Sequence, residues 1–151
     1  MESKLAIVIS DFYEKISNNL LDGAKRKYND YYDNNSFDDN VDTFNVPGAF
    51  EICGTVKRIL DSHLQYDAII AYGCIIKGET AHFDFISKTV ATGIKDLSID
   101  KKTTIPILFG VLTTFDYEQA LERSNLNNLD KGGEVMSSAL NTIETYKKIL
   151  K

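Results

Sequence analysis

The chain has 151 residues, 43% of them hydrophobic, which suits a single domain over residues 1–151 with one core and no linker. Its formal net charge of -5 repels polyanions, so nucleic acid and anionic membrane are not expected partners, and any anionic ligand must be met by local groups. No run approaches the roughly 20 apolar residues needed to span a bilayer, and Met1-Glu2-Ser3-Lys4 leads straight into a strand-like segment, so a soluble, cytoplasmic protein is expected.

Leu5 to Ile9 is a short apolar run that predicts a first strand, and Ile16, Leu20, Ala24 and Tyr28 follow at the four-residue spacing of a helix with one buried face. Asn29 to Asn40 is dense in Asn and Asp, whose side chains compete for backbone hydrogen bonds, and it reads as a surface loop with Tyr31 and Tyr32 on its inner side. A second strand over Val41 to Val46 is broken by Pro47-Gly48, after which Ile52, Val56, Ile59 and Leu60 resume a helical period.

Ala68 to Ile76 is apolar on both alternating faces, as a central strand covered on both sides requires, and Phe85, Ile86, Val90, Ile94 and Leu97 mark a third helix. Ile105 to Leu112 is the fourth strand. A short helix near Tyr117 to Arg123, a polar break from Ser124 to Asn128 and a closing helix with Val135, Ala139, Ile143 and Tyr146 on one stripe complete the chain. Four alternations of strand and helix predict a parallel sheet with helices on both faces, whose ligands bind beyond the carboxyl ends of the strands.

That rule directs attention to four segments: Ser10 to Tyr13, Val46 to Glu51, Lys77 to His82, and the stretch just after Leu112. Lys77 to His82 leaves a strand through Gly78 and enters a helix, where amide groups and the helix dipole converge on a point that favours phosphate. Thr80 can cap that helix or offer its hydroxyl to an anion, and His82, in the first turn, can relay a proton to a bound ligand. Glu51 stands in the first turn after Val46-Pro47-Gly48, and Phe12 follows the first strand, where a ring can stack on a planar heterocycle. Arg123 and Lys131 are candidates for the positive charge that an anionic substrate needs in an acidic protein.

Each of these residues also has a plain structural role open to it: Thr80 as a cap, Glu51 as a dipole partner, Phe12 as core, and both cations as solvated surface. Cys53 and Cys74 lack metal-ligand spacing and lie in apolar segments, which suits two buried, reduced thiols. No dinucleotide fingerprint, P-loop, nucleophile elbow or paired-His metal motif is present.

These segments, in this order and spacing, resemble the lumazine synthase family across nearly the whole chain. Val46 to Glu51 looks like its ribityl-binding turn, and Gly73 to Phe83 like its phosphate loop with the catalytic histidine. Phe109 to Thr114, then Glu118-Gln119-Ala120 with Glu122-Arg123, and Asp130-Lys131-Gly132 with Glu134, resemble the second half of its site.

The resemblance implies a flavodoxin-like fold and the condensation of 5-amino-6-(D-ribitylamino)uracil with 3,4-dihydroxy-2-butanone 4-phosphate, without metal or organic cofactor. It further implies a homopentamer with sites shared between neighbours, compatible with an icosahedral sixty-subunit shell. Carried over, Phe12 would stack on the pyrimidine, Ala49, Phe50 and Glu51 would hold the ribityl chain, and backbone from Cys74 through Ile75 to Ile76 would read the pyrimidine edge. Glu79 and Thr80 amides would bind phosphate, His82 would shuttle protons, and Phe109, Arg123 and Lys131 would come from the adjacent subunit.

The chain departs from the family's pattern at the arm before Leu5, which is shorter than in many relatives, and at Phe44, Asp130 and Cys53, where tryptophan, asparagine and proline are common. Two other functions would keep the same pocket. One is a non-catalytic lumazine- or flavin-binding shell protein, against which His82 and Arg123 both speak. The other is an archaeal-type riboflavin synthase, which would convert lumazine alone.

Overall fold

The computed structural model describes residues 1–150. Its elements are β1 (Leu5–Ser10), α1 (Glu14–Tyr32), α2 (Phe37–Asn40), β2 (Val41–Val46), α3 (Phe50–Asp61), β3 (Ala68–Ile76), α4 (His82–Ser98), β4 (Ile107–Thr114), α5 (Tyr117–Ser124) and α6 (Lys131–Ile149). All strand pairs are parallel, in the order β2-β1-β3-β4. β1 therefore sits inside the sheet with β2 and β3 on its two sides, the flavodoxin-like arrangement.

Because side chains alternate along a strand, Leu5, Ile7 and Ile9 pack with α1 and α6 on one face, while Ala6 and Val8 pack with α3 and α4 on the other. Every residue of β1 is buried, and its sequence is accordingly apolar from Leu5 to Ile9, with buried Ser10 at its end. Each fully buried Leu or Ile in these layers stabilises the fold by roughly 1.5–3 kcal/mol. The result is the expected three-layer α/β architecture.

On the α1/α6 face the helices approach closely. A Cβ added at Gly132 would lie 2.0 Å from the Leu20 carbonyl oxygen, so only glycine allows that crossing. Tyr72, fully buried on β3, donates its hydroxyl to the Gly132 carbonyl at 2.6 Å and joins the sheet to the first turn of α6.

Four expectations need correction. The segment from Asn29 to Asn40 is not one loop: α1 runs on to Tyr32, and Phe37–Asn40 forms a single helical turn. Aromatic packing overrides the Asn/Asp composition here, because buried Tyr28 meets Tyr32 at 4.9 Å and Phe37 at 5.7 Å between ring centroids. Tyr32 faces inward and accepts the Ser3 amide, whereas Tyr31 is exposed. The polar residues act at the end of the helix: Asp33 ends α1 in the left-handed region, and Asn29, in its last turn, accepts the Phe37 amide through Oδ1.

The fourth strand begins at Ile107 rather than Ile105. Pro106 has no N–H to offer, although its carbonyl still accepts the Ile69 amide at 3.0 Å. On α4, Val90 and Ile94 are buried and Ile86 lies partly buried in line with them, but Phe85, one residue off that i, i+4 stripe, is 72% exposed. On α6 the buried stripe is Met136, Ala139, Leu140 and Ile143, with Val135 and Tyr146 at its margins.

Candidate active site

The turns after β1, β2 and β3 open onto one cleft of about 590 Å³, lined by Phe12 and Tyr13, by Gly48 to Glu51, by Cys74 to Ile76, and by Gly78, Thr80, His82, Phe83 and Ile86. It lies where the chain leaves β1 for β2 on one side and enters β3 on the other, the switch point at which open α/β sheets hold their ligands.

Each wall is fixed by local bonding. After β1, the Asp11 amide donates to the Val46 carbonyl at 2.9 Å and Asn45 donates its side-chain amide to Asp11 at 2.8 Å, so the first and second turns move together. The buried Ser17 hydroxyl donates to the Ser10 and Tyr13 carbonyls, which sets the path of the chain around Phe12. Phe12 is 69% exposed and Phe50 is 61% exposed. Neither ring is core, and both offer apolar faces to the cleft.

Glu51 begins the first turn of α3, and Gly48 gives its carboxylate room, since a Cβ there would stand 3.0 Å from Oε2. The third wall is more covered. Cys74 is buried, and desolvation pushes its thiol up to about 12, so it stays neutral and unreactive near pH 7. Cys53, by contrast, is only half-buried and lies outside the cleft, in a shallow groove between α3 and α4. Both thiols are free.

Beyond β3, the Lys77 amide donates to the Thr114 carbonyl at 2.9 Å, and the chain turns through Gly78 into α4. Thr80 does act on the helix start: its hydroxyl accepts the His82 amide at 3.3 Å. His82 is the first residue of α4 and stands exposed at the cleft. The early amides of α4 supply partial positive charge there.

Nine of the expected residues thus share one cavity: Phe12, Ala49, Phe50, Glu51, Cys74, Ile75, Ile76, Thr80 and His82. Glu79 is exposed between two lining residues but does not itself line the cleft. Phe109, on β4 opposite Ala71 and 42% exposed, is not among the lining residues. Arg123, in the last turn of α5, donates to the Gln119 carbonyl at 3.2 Å, and Lys131 pairs with Glu134 at 2.8 Å at the start of α6; both are absent from the lining too.

Sequence reasoning covered Tyr13 only as the end of the Ser10 to Tyr13 segment, Phe83 only as the end of the phosphate-loop motif and Ile86 only as part of a helix, and gave none of the three a site role. Adjacency to Phe12 could have indicated the first, and positions one and four beyond His82 on a helix the other two. No group of three or more His, Cys, Asp or Glu among the described residues converges as a metal ion would need. No helix among them is long and apolar enough to cross a membrane.

The profile of the 6,7-dimethyl-8-ribityllumazine synthase family matches residues 2–147. The chain belongs to that family. The match spans every element of the fold from β1 into the last turns of α6. The family is one of transferases, and its reaction joins 5-amino-6-(D-ribitylamino)uracil to 3,4-dihydroxy-2-butanone 4-phosphate, giving 6,7-dimethyl-8-ribityllumazine, phosphate and water in riboflavin biosynthesis. An apolar cleft with exposed rings, one carboxylate and one imidazole is suited to a planar, hydroxyl-bearing substrate and proton transfers.

Proposed function

We propose that the cleft binds both substrates of the lumazine-forming reaction and that His82 is its proton relay. Phe12 stacks on the pyrimidine, Ala49, Phe50 and Glu51 hold the ribityl chain, and backbone from Cys74 to Ile76 pairs with the heterocycle's edge. Amides around Glu79 and Thr80 meet the phosphate at the start of α4. The substrate amine adds to the ketone, water leaves as the Schiff base forms, phosphate departs by elimination, and the ribityl-bearing nitrogen closes the second ring with loss of water. Carbon–nitrogen bonds form and carbon–oxygen bonds break with no external oxidant, so the protein supplies orientation and a proton path.

One observation carries the rest of the proposal. The lining contains no lysine or arginine, although one substrate is a phosphate ester. A chain of net charge -5 must bring that cation from elsewhere. Arg123 and Lys131 of a neighbouring copy, with its Phe109, complete the site in a homopentamer, compatible with a larger icosahedral shell. The exposed rings of Phe12, Phe50, Phe85 and Phe109 support this, since such apolar area favours burial against another subunit. The protein works in the cytoplasm.

The test is subunit complementation, followed by absorbance of lumazine. His82→Ala and Arg123→Ala proteins are each unfolded, mixed and reassembled. A shared site regains activity in mixed assemblies, because some cavities receive an intact half from each parent. A mixture no more active than its parents overturns the shared site. Riboflavin made from lumazine alone would instead favour the riboflavin synthase reaction.

A further inference from the structure

Tyr13 lines the cleft with a ring packed against the core and a hydroxyl that the fold does not use. Its backbone is held as the start of α1, with its carbonyl accepting both the amide and the hydroxyl of Ser17, at 3.0 and 3.1 Å. Its ring is wedged between two others, edge-on to Phe12 at 4.9 Å and tilted against Tyr117 at 6.2 Å between centroids. The side chain is therefore fixed at both ends.

The hydroxyl, however, has no hydrogen-bond partner among the described residues. No sealed side-chain oxygen or nitrogen among them goes unsatisfied, so this oxygen reaches accessible space, and the residue lines the cleft. Burial first, and neighbouring Cys74 second, hold the phenol above its usual range, so it remains a donor. A phenol with a fixed ring, an unused proton and an opening onto an apolar cavity is preorganised to donate to an incoming oxygen.

We propose that Tyr13 is a positioning and specificity residue, donating its hydroxyl to a carbonyl on the pyrimidine substrate's heterocycle. This rests on the pyrimidine-binding reading above. The carbonyl is favoured over the ribityl chain because Tyr13 stands beside Phe12 and Cys74, whereas the residues assigned to the chain belong to the turn after β2.

The experiment is Tyr13→Phe, which removes one oxygen and leaves the ring packing in place, with an unchanged melting temperature as the folding control. The KM for the pyrimidine should rise about 2- to 10-fold, the effect of one hydrogen bond, with kcat and the KM for the butanone phosphate near their wild-type values. Calorimetric binding of the pyrimidine alone should weaken by a similar factor. A pyrimidine KM and affinity equal to wild type, or an equal rise in both KM values, overturns the proposal. Wild-type protein that binds the pyrimidine but forms no lumazine overturns the reaction while leaving the calorimetric comparison able to judge Tyr13. Wild-type protein that does not bind the pyrimidine overturns both.

Discussion

The carboxylate of Asp130 holds two groups at once, accepting the Gly133 amide at 3.1 Å and the Arg26 guanidinium at 2.8 Å. The first bond caps α6, and the second ties it to α1. Asp130 takes a φ of 43°, a left-handed conformation in which Asn and Asp are tolerated better than most residues.

Asp130→Ala should therefore lower stability by about 1–2 kcal/mol, chiefly through the lost cap. Asp130→Asn keeps an acceptor and suits the same backbone, losing only an ion pair whose arginine is 46% exposed, and should cost less than about 1 kcal/mol. Urea denaturation separates the two. Equal losses would make the ion pair, rather than the cap, the dominant contribution.

Gly132→Ala should be far more damaging than a helix-favouring substitution ordinarily is. The added methyl meets the Leu20 backbone at 2.0 Å, and backbone cannot swing aside as a side chain can. A loss of about 3 kcal/mol or more, or failure to fold, is expected from the forced separation of α1 and α6. A melting temperature within two or three degrees of wild type would show that the helices slide apart easily.

Stability should fall in alkali. Cys74 and Tyr72 both have folded-state pKa values raised by burial, Cys74 to about 12. Their contribution is complete below the unfolded values of about 8.5 and 10, and is lost as pH rises from there towards the folded values, because the unfolded chain ionises first. Denaturation at pH 7, 9, 10 and 11 should show a decline beginning near pH 9. Cys74→Ala should be less stable at pH 7 but show a shallower decline between pH 9 and 11, and an unchanged slope would remove the thiol from the account.

His82→Ala should slow lumazine formation by roughly 10- to 100-fold, the lower part of a general acid–base contribution or somewhat less. Phe12→Ala should act mainly on binding, raising the pyrimidine KM about 3- to 10-fold through lost stacking. Single-turnover measurements check the division. A His82→Ala rate equal to wild type would dismiss the imidazole as relay.

The layered fold was legible because β1 and β3 are buried on both faces and carry uninterrupted apolar runs, which a strand with one face in water would not show. Phe85 shows where such reading fails, since helical periodicity registers hydrophobicity but not which of two adjacent residues faces the sheet. Tyr28 and Tyr32 show another limit: Asn/Asp content alone gave no sign that aromatic contacts would carry α1 four residues further, from Asn29 to Tyr32. At the cleft, the three lining turns were identifiable from chain position at strand ends. Tyr13 lay in the first of them, but its role did not show, because an unused hydroxyl is a property of packing rather than of composition.

Every lining residue that one subunit supplies falls between Phe12 and Ile86, so its share of the walls is in place once β1, β2 and β3 have joined and α4 has started. An occupant would bridge the ends of those three strands, whereas β4 of the same subunit lends no residue to that cavity. Amide hydrogens in the turns that follow β1, β2 and β3 would then gain the most protection from deuterium when the cavity fills.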